Sequence, residues 1–162
     1  MKGCIEGPAE DIKFDDIQEV CLDIDRILLA TDGSEPAVMA TQYAVTLAKM
    51  FNASITAIYV DDGVEAHELP EEIEGDDSWE GYHPSVRGLG VARVMAERNG
   101  APIEIAIVRG DISKLIIKMA HDGSADLIVL GETGRTGLKR LGMGSIAETV
   151  IKGSETPVLV IK

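Results

Sequence analysis

Five short apolar runs punctuate this chain, and helical periodicity occurs in each of the four intervals between them. The runs are Arg26–Thr31, Ser54–Val60, Ile103–Val108, Ala125–Leu130 and Pro157–Ile161. They lack inside-outside alternation, as expected of strands buried on both faces. After the first run, Ala37, Ala40, Ala44, Leu47, Ala48 and Phe51 recur at helical spacing. Ser34 suits the N-cap of that helix, Pro36 its first turn and Asn52 its end. A second helix is expected over Pro84–Arg98, weakened by Gly88 and Gly90 and stopped by Asn99-Gly100. Asp111 opens a third, whose Ile112, Leu115, Ile116, Met119 and Ala120 share a face. A fourth runs from about Gly144 to Lys152. The acidic stretch 61–83, with Pro70 and three glycines, reads as a long loop.

Strands alternating with helices imply an α/β protein with a parallel sheet covered on both faces. Right-handed crossovers then require a doubly wound sheet, and the order 3-2-1-4-5 meets that requirement. The order reverses between strands 1 and 4, and ligands in such sheets sit at that switch point, beyond the C-terminal strand ends. Thr31–Ser34 and Leu130–Ser145 would flank it.

The chain has 162 residues, a one-domain length, with 45% hydrophobic and 27% charged residues. Its net charge of −13 opposes a nucleic-acid partner. The charge is unevenly spread. Residues 1–25 carry eight acidic residues and two lysines, and residues 61–80 carry ten acidic residues and no Lys or Arg. Removing both leaves 28 − 18 = 10 acidic against 15 − 2 = 13 basic residues, so the remaining body is compatible with an anionic ligand. Residues 1–25 are expected to be a partly disordered acidic extension and 26–162 the folded domain. No apolar run is long enough for a membrane span, and the acidic start does not resemble a signal peptide. Cys4 and Cys21 lack CxxC spacing and read as reduced thiols, so the setting expected is cytoplasmic.

Chemistry concentrates after the fourth strand. Gly131-x2-Gly134 is followed by nine residues and then Gly144-Ser145 at a helix start. Glycines allow close backbone approach, and a helix N-terminus offers free N–H groups to an anion. Ser145 could cap the helix or donate to a phosphate. Arg135, Lys139 and Arg140 form the densest basic cluster of the chain. Asp32 and Asp61, at the ends of strands 1 and 2, could reach a ribose hydroxyl or a metal bridging phosphates. Each element alone is more often a turn or a cap. Their convergence at one switch point makes the signal.

Gly131-x2-Gly134-x9-Gly144-Ser145, with Pro157-Val158-Leu159-Val160 closing the chain, resembles the ATP-binding subgroup of the universal stress protein family. Ile27–Ser34 resembles that family's first strand and turn, and the resemblance spans about residues 25–162. It implies a flavodoxin-like, adenine nucleotide α hydrolase-like three-layer sandwich, ATP as ligand, with Mg, and a homodimer paired through Pro157–Ile161. Carried over by motif, Ala30, Thr31 and Asp32 would line the pocket from strand 1, and Val60 would touch the adenine. Leu130, Gly131, Gly134, Arg135, Gly144, Ser145 and Ile146 would complete the ribose and phosphate site. The family's role is in stress tolerance and signalling. One departure stands inside the motif: Glu132 puts a carboxylate where that family usually has a small or neutral residue.

Other constellations are bland. His67, His83 and His121 lack metal-ligand spacing and are expected at the surface, and Trp79 and Tyr82 could pin the acidic loop to the body. No Ser-His-Asp or Cys-His arrangement is present. A phosphoacceptor domain would need an acidic pair after strand 1 and an Asp ending strand 3, where this chain has Val108-Arg109-Gly110. The expected function is a nucleotide-dependent stress or signalling switch. The alternatives are a nucleotide-free dimeric scaffold, favoured by Glu132, and at most a slow ATPase with Asp32 as the candidate base.

Overall fold

The computed structural model describes residues 22–63, 82–134 and 143–162. They form β1 (Arg26–Ala30), α1 (Glu35–Phe51), β2 (Ser54–Asp61), α2 (Pro84–Asn99), β3 (Ile103–Arg109), α3 (Ile112–Asp122), β4 (Leu127–Gly131), α4 (Ser145–Gly153) and β5 (Val158–Ile161). The five strands make one all-parallel sheet in the order β3-β2-β1-β4-β5. This is the doubly wound architecture that the alternation of strands and helices predicts.

Alternation along each strand separates two cores. Ile27 and Leu29 of β1 face α1 and α2, together with Ile55, Ala57, Tyr59 and Val129. Leu28 and Ala30 face α3 and α4, together with Ile58, Ile128 and Leu130. The central strands are thus buried on both sides, which is why their sequences read as continuous apolar runs. Small residues let α1 lie close to the sheet: Ala37, Ala40, Ala44 and Ala48 are all buried.

The caps explain where the helices begin. Ser34 Oγ accepts the Ala37 N–H at 3.4 Å, and Asp111 Oδ1 accepts the Lys114 N–H at 3.0 Å. Asn52 closes α1 in the left-handed region, at φ 57°. β4 starts two residues later than the apolar run, because Asp126 serves another purpose. Its carboxylate accepts the N–H groups of Asp25 and Arg26, both at 2.9 Å. The packed body also reaches further toward the N-terminus than Arg26: Ile24 is buried in the core, and Asp25 O accepts the Ser54 N–H at 2.9 Å. Most of the acidic extension and of the 61–83 stretch, with Cys4, Cys21, His67 and Trp79, lies outside the described residues. No helix among the described residues is long and apolar enough to cross a membrane.

Candidate functional site

A cleft of about 150 Å³ opens at the C-terminal ends of β1, β2 and β4, where the strand order reverses. Its wall on the β1 side carries Ala30, Thr31 and Asp32, and β2 adds Ile58 and Val60. Leu130, Gly131 and Gly134 come from β4 and its loop, and Gly144, Ser145 and Ile146 from the start of α4. Ten of the residues expected from sequence are therefore gathered around one cavity. Arg135, the eleventh, lies outside the described residues, as do Lys139 and Arg140.

The cleft has an apolar end and a polar end. Ala30, Ile58, Val60 and Leu130 meet Ile112 and Ile116 of α3 there. The two α3 isoleucines read in the sequence only as part of a core face. α3 starts directly after β3, however, so its first turn stands at the cleft rim. The polar end is built from the loop after β4 and the N-terminus of α4. Gly144 occupies the N-cap, and no side chain caps α4. The Ser145 hydroxyl therefore does not serve as the cap. With no side-chain acceptor at the helix start, its first amides keep their capacity for an anion. Glu148, in that first turn, is bonded to Lys152 at 2.5 Å. The hydrogen bond from the ammonium holds its carboxyl below the usual carboxylate range.

The glycines do different work from one another. A Cβ on Gly131 would lie 2.9 Å from Pro36 and 3.0 Å from the Ala37 nitrogen. Gly131 thus faces α1, where its bare backbone lets that helix approach the strand end. A Cβ on Gly144 would lie 2.7 Å from the Glu132 carbonyl, whose oxygen accepts the Gly144 N–H at 2.9 Å. These two glycines close the loop; only Gly134, exposed beside Asp32, keeps its surroundings open on the solvent side.

Asp32 belongs to the cleft and is half-buried. Its Oδ1 accepts the Ser34 N–H at 3.0 Å, which fixes the turn. Thr31 borders the cleft, but its hydroxyl lies beneath α2, where it accepts the Gly33 N–H at 3.4 Å. Asp61 does not reach the cleft. Strand alternation turns it to the opposite face with Tyr59, where it is 2 % exposed and accepts Arg109 Nε at 3.0 Å and Nη2 at 2.8 Å. Of the two strand-end carboxylates that the sequence offers as candidates, it is Asp32 that lies at the cleft. His83 also departs from its expected surface role. It is half-buried and caps α2, with Nδ1 2.7 Å from Ser85 Oγ and its ring edge-on to Tyr59. His121 is exposed, as expected.

Among the described residues no three His, Cys, Asp or Glu side chains converge as a metal site. Asp32 and Glu132 are the carboxylates of the cleft among the described residues. Magnesium fits here only as an ion carried on a ligand's phosphates, its common mode of binding.

The fold and the cleft define a doubly wound α/β protein with its site at the topological switch point. Residues 23–162 match the universal stress protein family, and the chain belongs to that family. It is 39% identical over 142 residues to universal stress protein MJ0531 of Methanocaldococcus jannaschii, covering 85% of this chain and 81% of that one. It is 31% identical over 166 residues to stress response protein NhaX of Bacillus subtilis, covering 85% and 98%. Among solved structures, MJ0577 of M. jannaschii shares the fold with a TM-score of 0.66 at 24% identity, over 87% of this chain and 97% of that one. A universal stress protein solved in complex with cAMP gives a TM-score of 0.65 at 24% identity, over 86% and 98%. One from Archaeoglobus fulgidus in complex with dAMP gives 0.61 at 21%, over 86% and 98%.

Proposed function

We propose that this chain binds an adenine nucleotide, ATP as its magnesium complex, and acts as a nucleotide-dependent stress or signalling switch. The carrying observation is the two-ended cleft. An apolar slot walled by Val60, Ile112 and Ile116 suits a flat base. An α4 N-terminus without a side-chain cap, beside a glycine loop, suits phosphate. The complexes of family members with cAMP and dAMP support an adenine ligand of this kind. Titration of nucleotide-stripped protein with Mg-ATP tests the reading. Saturable heat, lost in an Ile112→Trp variant that fills the slot, is the expected result. Equal heat from the filled variant would remove the assigned pocket.

The protein pairs with a second copy through β5. The two sheet edges differ in character: β3 exposes Glu104 and Arg109, whereas β5 is wholly apolar, with Val158, Leu159 and Val160 half-buried. Charge blunts an edge against pairing, and an uncharged edge invites it. Light scattering at micromolar concentration is expected to give a dimer mass, and a Val160→Lys variant a monomer mass. A monomeric wild type would overturn this part of the reading.

A further inference from the structure

We infer that Glu132 is a specificity-determining residue of the cleft, which ranks adenine nucleotides by the negative charge they bring. This rests on the nucleotide reading above and adds the charge class of the ligand to it.

Four observations converge on this residue. Along β4, Ile128 and Leu130 face α3 and α4, whereas Gly131 faces α1. Glu132, the first residue after β4, lines the cavity. Its backbone is held from both directions: the N–H donates to Ile161 O at 2.7 Å, and the carbonyl accepts the Gly144 N–H at 2.9 Å. A local shift of the loop cannot easily swing the side chain away. The start of α4, which its carbonyl touches, carries no side-chain cap from Glu132 or any other residue. Finally, Glu132 is half-buried, and among the described residues no ion pair holds it and the cleft lining contains Asp32 but no Lys or Arg.

A carboxylate in the same cleft as an uncapped helix start acts against the phosphate that the helix amides attract. Each negative charge on the ligand meets the same repulsion, weakly screened because the site is partly enclosed. Adenosine carries no charge and escapes it. AMP brings about two charges and free ATP about four. Magnesium on the phosphates offsets about two of those of ATP. The order of increasing sensitivity to Glu132 is therefore adenosine, AMP with Mg-ATP, then free ATP.

The test compares wild type with Glu132→Gln, which keeps shape and hydrogen bonding and removes the charge. Affinities are measured for adenosine, AMP, ATP in EDTA and Mg-ATP, using the full chain stripped of nucleotide. Free ATP is expected to tighten about tenfold or more in the variant, AMP by less, and adenosine by under about twofold. The gain for ATP should shrink as salt is raised. Glu132→Ser, with the same charge change, should repeat the pattern and guards against a folding artefact in one variant. Equal shifts for adenosine and free ATP, or weaker ATP binding in the variants, would overturn the inference while leaving the nucleotide reading in place. No binding of any probe by wild type or variants would overturn both.

Discussion

A Cβ built on Gly134 lies 2.8 Å from Oδ2 of Asp32, so the loop after β4 and the turn after β1 are in contact across the cleft. Any side chain at Gly134 must displace that carboxylate. Gly134→Ala is therefore expected to lower stability, and Asp32→Ala in the same chain to relieve part of the loss. A double-mutant cycle in urea should give a coupling of about 0.5–3 kcal/mol. Strict additivity of the two changes would mean that the contact is absent in solution. The pair also changes how a glycine substitution here is read, because a loss of ligand binding in Gly134 variants includes the displacement of Asp32.

Gly88 sits inside α2, where alanine would ordinarily add about 1 kcal/mol of helix stability. Here a Cβ would lie 2.7 Å from the Thr31 hydroxyl and 2.9 Å from the Gly33 nitrogen. Gly33 is itself at φ +74°, and its own Cβ would lie 2.6 Å from Pro84 O. The β1–α1 turn and α2 thus meet backbone against backbone, and overpacking outweighs propensity. Gly88→Ala is expected to destabilise by about 1–3 kcal/mol in urea unfolding. A stabilised variant would show that the two elements have room to separate.

Asp61 is almost wholly buried, and its Arg109 partner is 72 % exposed. Gly63 N–H also donates to Asp61 Oδ1, at 3.0 Å, and Gly110 N–H to Asp61 O, at 2.9 Å. Asp61 therefore ties the ends of β2 and β3 together on the face away from the cleft. Asp61→Ala should cost about 1–3 kcal/mol of stability through the donors it strands. Nucleotide affinity, measured where the variant is folded, should hardly move. Undiminished stability combined with lost binding would return Asp61 to the ligand site.

The strands and their order were legible because burial on both faces writes uninterrupted apolar runs into β1, β2 and β4. The helix starts at Ser34 and Asp111 were legible because capping acts within three residues of sequence. Contacts between distant segments left no such trace. Nothing near Gly131 in the sequence indicates that α1 lies against it, so its packing role did not show beside its expected place in the pocket. Gly88 read as a helix weakness, although it admits the Thr31 turn. Asp61 read as a ligand candidate because strand ends commonly supply ligands. One step of alternation turns it away, and that step is fixed only by which face Tyr59 buries. Ile112 and Ile116 were visible as an apolar face; only the sheet order shows that their upper turn borders a cleft. The candidate site itself was legible to the extent that it depends on glycine spacing, topology and family resemblance. Of its apolar wall, Ala30, Val60 and Leu130 were expected, and Ile58, Ile112 and Ile116 were not.

The most direct measurement is isothermal titration of nucleotide-stripped protein with Mg-ATP and with AMP, alongside the slot-filling Ile112→Trp variant checked for native circular dichroism. A saturable isotherm at a single site per chain for wild type, and none for the variant, is the predicted result. No heat from either ligand up to millimolar concentration would contradict the central claim that this cleft is an adenine-nucleotide site.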